Sequence, residues 1–390
     1  MTRFLLYSHD TYGLGHFRRS GLLASAIVGT DVDNDVLVVT GSPWAQTFAL
    51  PDRVDLLTLP TATKDTAGAY RPRRLACGLE RLVRLRSGLL QSAAAGYEPD
   101  VILVDHAPLG MAGELVPLLE SLDAASRRTR LVLGMRDIVD DAQRVDTEWQ
   151  RDDVWTWLDR YDDIFVYGDS RIRTTAIELN LATRTSARVS HTGFVAPTMP
   201  DPMTDEPFLL VTAGGGGDGQ VMLRRYLDAV ESGASADVRS IVVTGPLLSA
   251  GRRAELLVRA ERLPSVHLVE SSDRMRSLIA SAMGVISMAG YNTVVEELAS
   301  NVPALLVPRR TPRLEQDIRA RRLAPHSRLE HCPVDELTTQ RVEQFVTGCI
   351  ERRHAGHMRN DWLNLSGAST VAAALGPAPV TSPHRQAARV

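Results

Sequence analysis

The chain is poor in several things that would have pointed elsewhere. Among 390 residues there are three cysteines, Cys77, Cys332 and Cys349, far apart and without metal-ligand spacing. They read as reduced thiols of a cytosolic protein, not as a disulfide framework or a zinc site. Lys64 is the sole lysine, so the cations are nearly all arginine. That bias reads as the codon usage of a GC-rich genome rather than as a phosphate-binding surface. The net charge of -3 supplies no bulk positive field, and nucleic acid is not expected as a partner. No apolar run approaches the roughly 20 residues that span a bilayer. Phe4-Leu5-Leu6-Tyr7 is a strand's worth of apolar residues, too short for a signal peptide. A cytoplasmic location is expected, with peripheral membrane contact left open.

What remains is an ordinary globular composition, 44% hydrophobic and 23% charged, at a length suited to two domains. Short β-rich runs alternate with longer helical stretches. They begin near Arg3, Val36, Val54, Val101, Leu131, Ile164 and Val189, and resume at Phe208, Ile241, Val266, Val285 and Ala304. This alternation predicts an α/β protein of two tandem Rossmann-like, doubly wound domains facing a cleft. Residues 196–207 hold four prolines and three acids and read as the linker between domains 1–195 and 208–356. A last helix over 357–375 is expected to pack back on the first domain, and 376–390 reads as a disordered tail. The arginine-rich run Arg71–Arg86 reads as a helix with a solvated face, on the spacing of Leu75, Leu79, Leu82 and Leu85 or Leu89.

In such sheets ligands bind beyond the carboxyl ends of the strands, so the loops there matter most. The strongest signal is Ser287-Met288-Ala289-Gly290-Tyr291-Asn292-Thr293, a strand running through a glycine turn into a helix. Unpaired amides and the helix dipole favour a phosphate at that point, and Glu296 lies within reach of ribose hydroxyls. A second glycine loop, Gly214 to Gly219 with Asp218 inside it, follows the strand at Phe208. Four consecutive glycines cost unfolded-state entropy, which argues for more than a turn, yet the Lys-Ser/Thr ending of a P-loop is missing. The first strand leads into Gly13-Leu14-Gly15-His16-Phe17-Arg18-Arg19, with a helix beginning near Phe17. Arg18 stands where a dinucleotide fingerprint needs its third glycine, so no dinucleotide or other cofactor is expected. His16, at the lip of a helix, suits a neutral general base. Asp105-His106 forms an adjacent acid and base after the fourth strand, with binding and structural roles both open. The acids of Met135–Asp141 read as helix caps.

Together these residues resemble the GT-B glycosyltransferases. The closest likeness is to the family 28 group that contains the N-acetylglucosaminyltransferase of peptidoglycan synthesis. The resemblance is strongest from about Val266 to Ala320. It implies a metal-independent transfer of a hexosyl unit from a nucleotide diphosphate sugar to an acceptor hydroxyl. UDP is the expected nucleotide, with dTDP or GDP open, and the acceptor is unassigned. By this likeness the backbone around Ser272, with Met275 nearby, reads the base, and Glu296 binds the ribose. Ala289, Gly290, Tyr291, Asn292 and Thr293 hold the diphosphate. Gly215, Gly216, Gly217, Asp218 and Gly219 lie beneath the donor, and Glu315 and Gln316 face its sugar. Gly13, Gly15 and His16 form the N-terminal loop that carries the base. One departure is the absence of the family's basic residue after Thr192-Gly193, where Phe194-Val195-Ala196-Pro197 follows. Nucleotide-sugar hydrolysis, epimerisation and a non-catalytic donor-binding role on the same fold are the alternatives.

Overall fold

The computed structural model describes residues 1–10, 15–65, 69–123, 128–204, 206–235, 237–355 and 362–376. Its first sheet takes β1 (Arg3–Ser8), β2 (Asp35–Thr40), β3 (Val54–Thr58), and, beyond a small antiparallel hairpin of β4 (Ala62–Lys64) and β5 (Tyr70–Pro72), four more strands. These are β6 (Val101–Asp105), β7 (Arg130–Arg136), β8 (Asp163–Tyr167) and β9 (Arg188–His191). All pair in parallel in the order β3-β2-β1-β6-β7-β8-β9. The second sheet contains β10 (Leu209–Thr212), β11 (Ser240–Val243), β12 (Val266–Val269), β13 (Gly284–Ser287), β14 (Ala304–Leu306) and β15 (Leu329–His331). It is also parallel, in the order β12-β11-β10-β13-β14-β15. The two doubly wound sheets that the alternation predicts are thus present. Three short strands, β4, β5 and β15, carry too few apolar residues to stand out in the sequence.

Each sheet reverses its strand order once, at β1/β6 in the first and at β10/β13 in the second. A crevice opens outside the strand ends at such a point. The loops after these four strands are the ones bearing His9-Asp10, Asp105-His106, Gly214–Gly219 and Met288–Gly290.

The helices of the first half are α1 (Gly15–Thr30), α2 (Leu79–Tyr97), α3 (Val116–Asp123), α4 (Ala142–Arg151), α5 (Val154–Leu158), α6 (Thr175–Glu178) and α7 (Leu181–Arg184). Those of the second are α8 (Gln220–Glu231), α9 (Ala250–Ala260), α10 (Met275–Ser281), α11 (Tyr291–Ser300), α12 (Glu315–Leu323), α13 (Thr339–Ala355) and α14 (Gly367–Leu375). One apolar cluster runs through both halves. It joins Phe4 and Leu6 of β1 to Phe17, Leu23 and Ile27 of α1, then to Val371 and Leu375 of α14 and Val294 and Leu298 of α11. The last helix therefore lies against the first, on the N-terminal half.

Three expectations need correcting. The final helix begins at Gly367, not near 357; Trp362–Ser366 is bent chain, and Phe194 N donates to Asn364 O there. Residues 377–390 lie outside those described. The arginine-rich run is helical only from Leu79: Tyr70–Pro72 is a strand, and Leu75 and Leu85 are exposed while Leu82, Arg86 and Leu90 face inward. Finally, α1 starts at Gly15, two residues earlier than the sequence suggests.

Candidate functional site

The facing switch points enclose a cavity of about 490 Å3. From the first half it is lined by Gly15, His16, Arg18, Arg19 and Arg136. From the second it is lined by Gly215, Ser272, Met275, Arg276, Gly290, Tyr291, Asn292, Thr293, Glu296, Glu315 and Gln316, among others. Residues far apart in sequence thus converge here. Gly13 lies outside the described residues. Asp105 and His106 sit behind the His16 wall, and Ala289, Gly216, Gly217, Asp218 and Gly219 do not line the space.

His16 is held by its neighbours. Its Nδ1 lies 2.5 Å from Asp105 Oδ2, which places the proton on Nδ1 and leaves Nε2 unprotonated in the neutral ring. Asp105 is buried and also receives Arg19 Nε at 2.9 Å and Nη2 at 2.7 Å. Burial pushes the Asp105 carboxyl up, but the Arg19 and His16 charges outweigh it and hold it at about 2. Arg19 follows His16 by three residues on α1, which puts both side chains on the face toward Asp105. Two further histidines stand close by, with ring centroids 5.5 Å (His9) and 5.2 Å (His106) from His16. Burial, aided by His16, drives His9 down to about 3. Burial and then Arg136 keep His106 well below its ordinary value. Both are neutral rings at pH 7.

The two glycine turns end in helices with unlike N-termini. Asp10 reaches over the start of α1 and accepts from His16 N at 3.2 Å and from Phe17 N. Those amides are occupied by the protein's own carboxylate. At α11 the residue before the helix is Gly290, with no side-chain cap and no acid in the first turn. Gly290 N donates to Met288 O at 2.9 Å, but Tyr291, Asn292 and Thr293 line the cavity and, among the described residues, no carboxylate covers their amides, which makes α11 the better anion seat of the two.

Glu296 is buried on α11 and ion-paired with Arg18 of α1, across the cleft. Burial raises its carboxyl above the usual range, with Arg18 working against the rise. Its neighbour Glu297 points away from the cavity wall. It accepts from Ser287 Oγ at 2.6 Å and is pushed up to about 8 by burial. Glu315 and Gln316 open α12 and are held by Arg309, whose Nη2 lies 2.6 Å from Glu315 Oε1 and whose backbone N lies 3.2 Å from Gln316 Oε1. Arg309 also pairs with Asp218 at 3.2 Å, so that loop acid braces an arginine.

The glycine loop after β10 has a packing cause at two positions. Gly216 has φ +89°, and a Cβ there would sit 2.3 Å from Thr244 O. A Cβ on Gly219 would fall 2.2 Å from the Ala213 Cβ. Only Gly214 and Gly215 reach the cavity. The Ala289 carbonyl, for its part, accepts from Arg319 Nη1 at 3.0 Å.

Sequence reading misses Arg19, Arg136, Arg276 and Arg319. In an arginine-rich chain no single arginine stands out; for Arg136 the one signal is its place at the end of a strand. The expectation that the 135–141 acids cap a helix holds for Asp141, which accepts from the Gln143 and Arg144 amides. Asp137 and Asp140 act differently. They bind Arg319 at 2.7 Å and Arg313 at 3.1 Å, joining the two halves.

Among the described residues no group of three or more His, Cys, Asp or Glu side chains is placed to hold a metal, and no helix is long and apolar enough to cross a membrane. Solved structures of similar shape include the UDP-GlcNAc 2-epimerase of Methanocaldococcus jannaschii, with 11% identity, TM-score 0.62, and coverage of 96% of this chain and 99% of that one. MurG of Acinetobacter baumannii matches with 12% identity and TM-score 0.57 over 96% and 95% of the two chains. CalG4, the calicheamicin glycosyltransferase, matches with 15% identity and TM-score 0.57 over 90% and 91%. At such identities the likeness is one of fold. No curated protein sequence matches the chain. Residues 210–373 match the glycosyltransferase family 28 C-terminal domain. The second half of this protein is therefore similar to a family 28 glycosyltransferase domain, in a chain whose fold is that of the GT-B glycosyltransferases.

Proposed function

We propose that the protein transfers a sugar from a nucleotide diphosphate sugar, with UDP as the nucleotide, to an acceptor hydroxyl. The observation that carries this reading is one cavity with a histidine–carboxylate pair on one wall and an uncapped helix N-terminus on the other. His16 Nε2 takes the proton from the acceptor hydroxyl while its oxygen attacks the anomeric carbon. The bond from that carbon to the β-phosphate oxygen breaks, and the electron pair leaves on the nucleoside diphosphate. The amides from Tyr291 to Thr293 and the Arg276 guanidinium stabilise that charge, in place of a divalent ion. Glu296 receives the ribose hydroxyls once Arg18 yields it, and Ser272 and Met275 flank the base. Glu315 and Gln316, fixed by Arg309, meet the sugar.

The test is thermal stabilisation by UDP, dTDP, GDP and their sugar conjugates, for the wild type and for Glu296→Ala. Stabilisation by one nucleoside diphosphate, weakened at least tenfold in Glu296→Ala, is expected. No response to any nucleotide would sink the donor reading. With the matching sugar nucleotide, His16→Ala should slow turnover by about 10²- to 10⁴-fold. Unchanged turnover removes His16 from the base role. Free sugar released to water, or donor converted to its epimer, would replace transfer by the corresponding alternative.

A further inference from the structure

Six arginines line the cavity, and four of them are ion-paired: Arg18 with Glu296, Arg19 with Asp105, Arg309 with Glu315, and Arg319 with Asp137. Arg276 is exposed on the second domain and lies beside the proposed diphosphate seat. Arg136 is the unusual one. It ends β7 on the first domain, and among the described residues no carboxylate pairs with it. Its Nη2 lies 3.0 Å from His106 Nε2, and its Nε is buried without a partner. Burial, with repulsion from Arg19 and Arg319 and against the attraction of the more distant Glu315 and Asp105, lowers it only to about 10, so it stays a cation at pH 7.

His106 repeats the pattern. Because Nε2 accepts from Arg136, the ring's proton resides on Nδ1, and that nitrogen too is buried without a partner. The residue is held at φ +70°, a conformation that side chains other than glycine rarely take. Two orphaned donors and one cation without an ion-pair partner therefore sit side by side at the ends of β6 and β7. Buried groups of this kind are costly unless something pairs with them. Their ring neighbour at 5.2 Å is His16. Beyond His9, Tyr70 carries Lys64 over its ring at 4.8 Å, so the approach from the β4–β5 hairpin is also positive.

We infer that Arg136, held from behind by His106, forms the seat of an anionic group, a carboxylate or a phosphate, on the acceptor. The inference rests on the transfer reading for the word acceptor; the anion seat itself does not. The acceptor is assigned rather than the donor because the seat is on the first domain with His16, whereas the α11 N-terminus and Arg276 are on the second. An acceptor lacking such a charge would leave Arg136 unpaired in the closed complex.

The experiment occupies the donor seat first. With UDP saturating, inorganic phosphate, glucuronate and glucose are titrated against the wild type, Arg136→Met and Arg136→Lys, reading the melting temperature. Phosphate and glucuronate should stabilise the wild type saturably and glucose should not. Arg136→Met should weaken both anions at least tenfold, and Arg136→Lys should retain part of the response. The response of Arg136→Met to UDP alone should stay within twofold of wild type. Its melting temperature without ligands should equal or exceed that of wild type, since the substitution removes an unpaired charge. Anion responses unchanged in Arg136→Met overturn the proposal. Parallel loss of the UDP response reassigns Arg136 to the donor diphosphate and overturns it equally. A ligand-free melting temperature several degrees lower in both variants would make Arg136 structural. A wild type that ignores UDP refutes the donor reading, and the same anion titrations without UDP still decide the role of Arg136.

Discussion

Replacing Asp105 by asparagine separates two effects that the structure superimposes on one carboxylate. Asp105 accepts from both Arg19 and His16, and all three side chains are largely buried. Asparagine keeps the shape and removes the charge. Arg19, 2% exposed, is then a buried cation without a partner, which costs about 3–5 kcal/mol. His16 also loses the acceptor that fixes its proton on Nδ1, and turnover should fall by about 10²- to 10⁴-fold. The double variant Asp105→Asn/Arg19→Met removes the stranded charge. Denaturant unfolding should show most of the stability restored, while nucleoside diphosphate release from the stabilising sugar nucleotide stays low. A double variant that regains turnover to within threefold of wild type would refute the coupling of His16 to Asp105. Acid gives an independent check on the same group. Its folded pKa of about 2 lies below the ordinary carboxylate value, so its contribution is present above about pH 4 and lost as pH falls toward 2. The shift is worth roughly 2–3 kcal/mol, and the Asp105→Asn variant should lack that part of the acid dependence.

Gly216→Ala should destabilise the second domain by about 2 kcal/mol or more, because the new Cβ meets Thr244 O at 2.3 Å and the backbone is left-handed. Gly217→Ala, exposed and with nothing within 4 Å, should be neutral, and equal melting temperatures for the two variants would contradict the packing account. Glu297 has the opposite sign from Asp105. Its folded pKa of about 8 exceeds the unfolded value, so the folded state holds a proton that the unfolded state has released. Stability should therefore decline from about pH 5 to about pH 8, at up to about 1.4 kcal/mol per pH unit. Glu297→Gln should flatten that slope in denaturant titrations at pH 5, 6.5 and 8; an unchanged slope would place its origin elsewhere.

The architecture is legible because parallel strands buried on both faces read as unbroken apolar runs, as Val101–Val104 and Leu209–Val211 do. Strands of three residues carry no such signal, which hides β4, β5 and β15. The glycine turns mark the cavity, since strand ends and helix starts are local features. What the sequence does not reveal is partnership. Nothing local distinguishes Arg19, paired with Asp105 from 86 residues away, from Arg136, left without an acid. Nor does it indicate that Asp10 caps the start of α1, or that Arg18 occupies Glu296. The two glycine turns look alike on paper. Only the fold shows that one has its own carboxylate over its amides and the other does not.

Contacts between the halves are graded in exposure, and that grading bears on how a donor would enter. Arg319 and Asp137 are each about 1% exposed, and Arg319 also donates to Ile138 O and Ala289 O. Opening the molecule there would strand a buried charge on both sides. Across the cavity, Arg18 is 32% exposed in its pair with Glu296, and Asn292 Nδ2 donates to Gly15 O at an exposed position. Water can replace those partners at small cost. Among the polar contacts, those between Gly15 and Asn292 are therefore cheaper to open than those at Arg319, while the apolar contact of α1 with α11 sets the remaining cost there. Opening between Gly15 and Asn292 exposes the α11 N-terminus and Glu296 first. A nucleotide entering there would meet the proposed ribose and diphosphate seats before the histidine wall. Closure would then bring His16 and Asp105 to the sugar after the donor is bound, with water excluded only at that stage.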